Sequence, residues 1–305
     1  MNTIRFYCVS KAESPITHMS GTVGNQAIVA REPVQTQAGV RWVPVLSGNC
    51  IRHQIREHGF LHLIQAWGLE GKLRKDQLMF LLNGGANTSS GQFEDTKRLY
   101  EAEKYIPLIA LLGGCLDDQI LGSKLVVWRG RLICEENRKY LESDTPYSFP
   151  SERIRSVEDF LGNYQYTRGV SELVEPANLE EIDEQQQEAR ESGKKEKSDR
   201  MIFAGQMLTT GSLFSHGFVV KSPSKIMIGA LLHSLKEWQD AGGTIGGQSS
   251  KGHGRLSLYI TSDAFDSTSQ QNYIDAYLEN VEEYREKGIE WLEREFTKAR
   301  KTRKK

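Results

Sequence analysis

The chain has 305 residues, with 39 Lys and Arg set against 40 Asp and Glu, a net charge of −1 with histidines neutral. Hydrophobic residues make up 38% and charged residues 26%, and no apolar run reaches the length that spans a bilayer. This composition excludes a helical membrane protein and a uniformly basic nucleic-acid coat, and leaves a globular chain with one large core or two smaller ones. Four scattered cysteines, Cys8, Cys50, Cys115 and Cys134, form no CxxC pair, so neither a disulfide framework nor a thiolate zinc site is indicated. A reducing cytoplasm fits that usage, and MNTIRFYCVS lacks the basic-then-apolar layout of a signal peptide. The charge is unevenly spread. Residues 172–199 hold ten acids and four bases, which leaves the rest of the chain at +5, and local patches decide whether a phosphate backbone is attracted.

Taken in order, Thr3 to Val9 alternates as a first strand, with Ile4, Phe6 and Cys8 against Arg5 and Tyr7. The polar segment SPITHMSGTVGN reads as loop, and Gln26–Arg31 with Val40–Val43 reads as a hairpin around Gly39. Pro44 keeps Val43 extended, and Ser47 or Asn49 can cap a helix running to about Trp67. Arg52 and Arg56, four apart near its start, share a side and repel unless something anionic lies between them. A helix N-terminus also attracts anions. Ser47, Asn49, Arg52 and Arg56 are therefore a phosphate-binding candidate, with a solvated basic face as the alternative.

Residues 70–121 read as a mostly helical insertion, and Lys124–Cys134 as a strand or hairpin. Between Tyr140 and Gly169 aromatics alternate with bases: Arg153, Arg155, Phe160, Tyr164, Tyr166, Arg168. Such a segment either stacks on bases while its arginines hold phosphates, or is docked by its aromatics. Residues 175–200 are poor in apolar side chains and read as a solvated insertion. Met201–Lys221 is strand again, Ser224–Asp240 a helix with an apolar stripe ending at Gly242, and Asn272–Ala299 a last amphipathic helix before a basic tail.

Between the last two helices lies AGGTIGGQSSKGHGRLSLYI, Ala241 to Ile260. Its glycine-rich half carries chemistry only on Gln248, Ser249, Ser250, Lys251, His253 and Arg255. Backbone this bare can approach an anion closely and offer N–H groups; as an isolated run it is equally a linker. Lys251 follows Ser250 rather than Gly, which excludes a nucleotide P-loop, and Gly252-His253-Gly254 continues into no dinucleotide fingerprint. His53, His58 and His62 share one predicted helix, and His58 and His62 have i,i+4 spacing, but no His-Glu-x-x-His order occurs and Gly59 intervenes, so ordinary histidines are expected and no metal. No nucleophile–base group can be assembled locally, and no cofactor is indicated.

Without its insertions the order is β-α-β-β-α-β, the ferredoxin-like plan. Two motifs on that plan, Val43-Pro44-Val45-Leu46-Ser47-Gly48-Asn49-Cys50-Ile51-Arg52-His53-Gln54-Ile55-Arg56 and Gly246-Gly247-Gln248-Ser249-Ser250-Lys251-Gly252-His253-Gly254-Arg255, resemble those of the CRISPR-associated RAMP superfamily. Within it the chain is most similar to the crRNA-binding backbone subunit of type IV effector complexes. The resemblance implies an α+β fold: an RRM/ferredoxin-like palm from residues 1–69, 122–159 and 201–265, helical fingers from 70–121, a thumb from 160–200, and a C-terminal helix and basic tail from 266–305. It implies crRNA as partner, copies of itself in a helical oligomer, other CRISPR effector subunits, target nucleic acid through crRNA pairing, and no membrane. The residues expected on RNA are His18, Ser47, Asn49, Arg52, Arg56, Arg168, Gln248, Ser249, Ser250, Lys251, His253 and Arg255.

One departure concerns catalysis. Relatives that cut target RNA carry an Asp in the loop before the early hairpin; here that loop reads Gly21-Thr22-Val23-Gly24-Asn25-Gln26, and Asn cannot act as a general base. No cleavage is therefore expected. Glu32 lies just beyond, so a target-cleaving nuclease is the alternative, as is a RAMP endoribonuclease that processes precursor guides through His18.

Overall fold

A computed structural model describes residues 2–24, 26–85, 93–94, 96–116, 119–147, 154–168, 201–262 and 267–302. Strand β1 (Thr3–Ala12) turns Phe6, Cys8, Ser10 and Ala12 into the core and Arg5, Tyr7, Val9 and Lys11 away from it, the period of two read from sequence. It pairs antiparallel with β13 (Leu213–Lys221) on one side and β14 (Leu256–Ser262) on the other. Beyond β13 come β9 (Leu125–Val127) and β10 (Gly130–Leu132), which act as one interrupted strand. The interruption is at Trp128, whose N–H donates to the Gly217 carbonyl at 2.9 Å. A Cβ on Gly217 would sit 2.7 Å from the Trp128 ring, so only glycine lets the indole lie there. The resulting order, β14-β1-β13-β9/β10, is that of a ferredoxin-like sheet.

The early hairpin is real but its strands differ from expectation. Arg31–Thr36 (β4) pairs with Gly39–Leu46 (β5), and β5 extends the main sheet beside β10. Gln26–Val29 (β3) leaves that sheet. It joins Met19–Val23 (β2), Leu161–Arg168 (β11) and Met201–Leu208 (β12) in a second sheet of order β11-β12-β3-β2. Met201–Leu208, read with the palm in sequence, is thus a partner of the 160s segment. Alternation identifies a strand but not its neighbour.

Ser47 caps helix α1 (Gly48–Ala66): its hydroxyl accepts the Cys50 N–H at 3.2 Å. Ile51, Ile55, Phe60, Leu63 and Ile64 of α1 are buried. The insertion holds α2 (Lys75–Asn83), α3 (Thr96–Tyr105) and α4 (Pro107–Leu112). It also contains a small sheet of Phe93–Glu94 (β6), Gly114–Leu116 (β7) and Gln119–Leu121 (β8), which its sequence did not signal because each strand is only two or three residues long. Past a short α5 (Arg138–Asp144), the second core helix α6 (Lys225–Asp240) is capped by Ser224 and buries Leu231, Leu232, Leu235 and Trp238 beside α1.

The C-terminal helix is two helices, α7 (Ser267–Glu283) and α8 (Arg285–Thr302). Trp67 sits at the break: its indole N–H takes the Val281 carbonyl at 2.9 Å, and Arg285 donates to the Trp67 carbonyl at 3.1 Å. A backbone acceptor of α7 is thereby used by a side chain, and the chain turns.

The loop between α6 and β14 packs on the segment after β1. Gly246 has φ +79, and a Cβ there would lie 2.6 Å from the Thr17 carbonyl oxygen. Gly252 has φ +82 with nothing within 4 Å. Gly252→Ala is expected to lose about 1–2 kcal/mol, the cost of a left-handed non-glycine residue, and Gly246→Ala distinctly more, because backbone must also move. Urea denaturation of both variants measures the difference; equal losses would mean that the contact with Thr17 is absent in solution.

Candidate nucleic-acid interface

Pro15 to His18 brings the two motifs together. The Gly254 and Gly247 N–H groups donate to the carbonyls of Pro15 and Thr17, both at 2.8 Å. Thr17 Oγ1 donates back to the Gly247 carbonyl at 2.5 Å. On the other side, the Ser47 N–H donates to His18 Nε2 at 3.1 Å, and the Ala30 N–H to the His18 carbonyl at 2.7 Å. Burial lowers the pKa of His18, so at neutral pH it is an uncharged acceptor with its other proton on Nδ1. Cys50, in the first turn of α1, receives a hydrogen bond from the Gly246 backbone. The glycine loop, the strap and the start of α1 are one unit.

Much of the loop backbone is spent inside that unit. The Ile245 N–H bonds the Gly254 carbonyl, Leu256 bonds Gly243, and Lys251 and His253 both bond Gln248. Gly243, Gly246 and Gly254 are glycines because a Cβ would strike the chain's own carbonyls. What the loop presents outward is its side chains, of which Ser249, Ser250, Lys251 and Arg255 are exposed.

Three side chains of the loop, Gln248, Lys251 and His253, meet the second sheet. Lys251 Nζ lies 2.8 Å from the centre of the Tyr166 ring, a cation–π contact. Tyr166 stacks on its cross-strand neighbour Phe203 at 5.1 Å and lies parallel to Tyr164 at 6.2 Å. Tyr164 covers Gly205, where a Cβ would fall 2.6 Å from its hydroxyl. The His253 ring stands edge-on to Tyr164 at 5.6 Å, and Gln248 Nε2 donates to the Tyr166 hydroxyl at 3.4 Å. Burial and the Lys251 charge both lower the pKa of His253, so the positive charge of this ladder at neutral pH is that of Lys251. Of the two readings open for the aromatic segment, docking by its rings is what the structure displays. The docked rings remain only partly buried.

Arg52 and Arg56 are elsewhere. Arg56 is 7% exposed, and its guanidinium donates to the carbonyls of Leu81 (3.2 Å), Leu112 (3.0 Å) and Gly113 (2.7 Å). Arg52 donates to the carbonyls of Leu125 and Leu112 and to Ser123 Oγ. The negative group between the two arginines is a helix end. Leu81 and Leu112 carry last-turn carbonyls of α2 and α4, where the helix dipole is negative and no intrahelical donor remains. Burial, then the charge of Arg52, pulls the Arg56 pKa down to about 10, which leaves it charged at neutral pH. The expectation that both arginines project toward a phosphate is corrected for this reason: Arg56 donates to the insertion, and Arg52 to the insertion, Ser123 and β9.

Asn49 is exposed in the first turn of α1. Arg255 lies apart from the ladder, close enough to Glu13 to help lower its pKa after the Ser257 and Lys11 hydrogen bonds. Arg168 ends β11 in register with Met201; its side chain and residues 169–200 lie outside the described part of the structure, as does Asn25. Glu32 holds Arg129 at 3.0 Å and Arg131 at 3.6 Å.

Sequence reasoning missed the open face of the main sheet. A cavity of about 760 Å³ there is lined by Arg5, Tyr7, Trp128, Arg129, Arg131 and Tyr140, under α5. Its signal was available: Arg5 and Tyr7 are the outward half of the β1 alternation, and Arg129 and Arg131 are two apart across the start of β10.

If Arg56 is an anchor, Arg56→Leu should destabilise the fold by about 3 kcal/mol or more, because three buried carbonyls lose their donor, whereas Lys251→Ala should stay within about 0.5 kcal/mol. Chemical denaturation checks both; a stable Arg56→Leu protein would remove the anchor role.

No family model matches the sequence, and no curated protein matches it either. Among the described residues no helix is long and apolar enough to cross a membrane. In fold the chain is similar to a solved chain described as "Type IV-B CRISPR Complex", with a TM-score of 0.56, 16% identity, and coverage of 87% of this chain and 93% of that one.

Proposed function

We propose that this chain is a non-catalytic subunit of a type IV CRISPR ribonucleoprotein effector complex. It grips guide RNA by its phosphates, associates with copies of itself along that RNA, and presents the bases for pairing with a target. The observation that carries the reading is the junction at Pro15–His18, where the glycine loop and the capped start of α1 close on one strap beside an aromatic row topped by Lys251. The fold shared with a type IV-B complex chain over most of both lengths supports it. A cation beside stacked, partly exposed rings suits a single strand of any sequence: phosphate contacts give affinity, and aromatic faces accept any base.

The nuclease alternatives draw no support from the geometry. Glu32 is neutralised by two arginines, and the Nε2 lone pair of His18 is used by the Ser47 amide.

Two measurements test the reading. Binding of a labelled single-stranded RNA of arbitrary sequence should weaken about tenfold or more in Tyr166→Ala, one stacked base being worth about 1–3 kcal/mol. Lys251→Ala should lower the slope of log affinity against log salt by about 0.7, one phosphate contact on a single strand. Unchanged affinity and slope in both would remove the ladder from the RNA site. Incubation with precursor guide or complementary RNA and Mg²⁺ should leave the RNA intact; products that disappear in His18→Ala or Glu32→Gln would reverse the non-catalytic assignment.

A further inference from the structure

The two core helices carry a second cluster of chemistry with no part in RNA contact. Gly59 of α1 faces Ser234 of α6 so closely that a Cβ would lie 2.3 Å from the serine hydroxyl. One turn further along, this close crossing brings His62 against His233, ring centres 4.2 Å apart and planes at 77°. Glu237, one turn after His233 on the same helix, places a carboxylate oxygen 3.7 Å from His233 Nε2, beyond ordinary hydrogen-bond length. One ligand-type atom from each of His62, His233 and Glu237 falls within a mutual separation of 4.8 Å.

Three of the four ring nitrogens in this cluster make no hydrogen bond. His233 is 5% exposed, and neither of its ring nitrogens has a hydrogen-bond partner; the buried Nδ1 of His62 has none either. Tyr277 of α7, its ring 5.6 Å from His233, adds a buried hydroxyl without a partner. Buried polar atoms are nearly always satisfied, and a cluster of orphaned imidazole nitrogens beside a carboxylate needs an explanation. Hydrogen bonding within the cluster supplies none for His233, whose approach to Glu237 at 3.7 Å exceeds hydrogen-bond length.

We propose that His62, His233 and Glu237 hold a divalent transition-metal ion of the zinc class that joins α1 to α6. Two imidazoles and one carboxylate are a borderline N/O donor set, which suits Zn²⁺ and disfavours Mg²⁺ and Ca²⁺. Bonds of about 2.0–2.2 Å would draw the three donor atoms, now within 4.8 Å of one another, in on the ion, and a fourth position is left for water. His62 is only partly buried and gives the ion a route from solvent. The i,i+4 spacing of His58 and His62 led in sequence to ordinary histidines and no metal; the site proposed here departs from that expectation and crosses between helices. It lies about 22 Å along α1 from Ser47, and this inference stands whether or not the chain binds RNA.

The test uses the full chain, stripped with chelator and titrated with Co²⁺ as a spectroscopic stand-in. The expected result is a visible d–d band that saturates at one equivalent and is abolished by Zn²⁺. His62→Ala and Glu237→Gln should each weaken Co²⁺ binding by about tenfold or more, the scale seen even for lost outer-shell partners. Zn²⁺ should raise the melting temperature of the wild type but not of Glu237→Gln, an isosteric change at a partly exposed site. Absence of the band and of the melting shift in the wild type overturns the proposal. So does a band that survives in both His233→Ala and Glu237→Gln, which would assign binding to His53 and His58 on the surface of α1.

Discussion

The backbone ladder on Pro15–His18 is the constraint on which the rest of the candidate interface depends. These four residues leave β1, and their carbonyls and one imidazole accept hydrogen bonds from the glycine loop, from β3–β4 and from the start of α1. The Ile16 amide and carbonyl also pair with Leu208 at the end of β12. Three parts of the chain that are remote in sequence thus take their positions from one short strap. A side chain at Gly246 would push the loop off it, and one at Gly254 would strike the loop's own Ile245 carbonyl; either shift would carry Lys251 and His253 away from the tyrosines they touch.

A second constraint fixes the insertion. Two arginines, four apart on α1, reach carbonyls at the ends of α2 and α4 and at the start of the main-sheet strand β9. Buried guanidinium groups are tolerated only when their donors are used, and here Arg56 uses three bonds to carbonyls. Leu112 serves both arginines, so their mutual repulsion is offset at one helix terminus. The same pair that in sequence suggests a phosphate clamp acts in the fold as a bracket between core and insertion.

Local chemistry was legible in the sequence and long-range partnership was not. The Ser47 cap, the Ser224 cap and the outward parity of Arg5 and Tyr7 follow from neighbours within four residues. The roles of Arg52 and Arg56 do not, because their acceptors belong to residues 81, 112, 113 and 125. The break near Tyr284 likewise depends on Trp67, an indole more than two hundred positions earlier. The glycine loop was recognised as special, but the close approach its glycines permit is to the chain's own strap. Tyr166 stands in sequence as one of three aromatics between Arg153 and Arg168, with Phe160 and Tyr164, and nothing in its surroundings there points to Lys251.

Burial then divides the work among residues of the same type. A charge committed to carbonyls cannot also neutralise a phosphate without stranding the acceptors it leaves, at a cost of about 1–3 kcal/mol each. Arg56 is therefore fixed in the fold, whereas exposed Lys251, held only by a ring face, can exchange that contact for an anion at little cost. On the proposed reading, a guide-binding surface uses both kinds. Rigid anchors hold the spacing of successive contacts constant, and weakly held cations and half-covered rings supply contacts that ignore base identity. An RNA that slid between Lys251 and Tyr166 would replace one cation–π pair with a phosphate contact and a stacked base, and the strap beneath would not have to move.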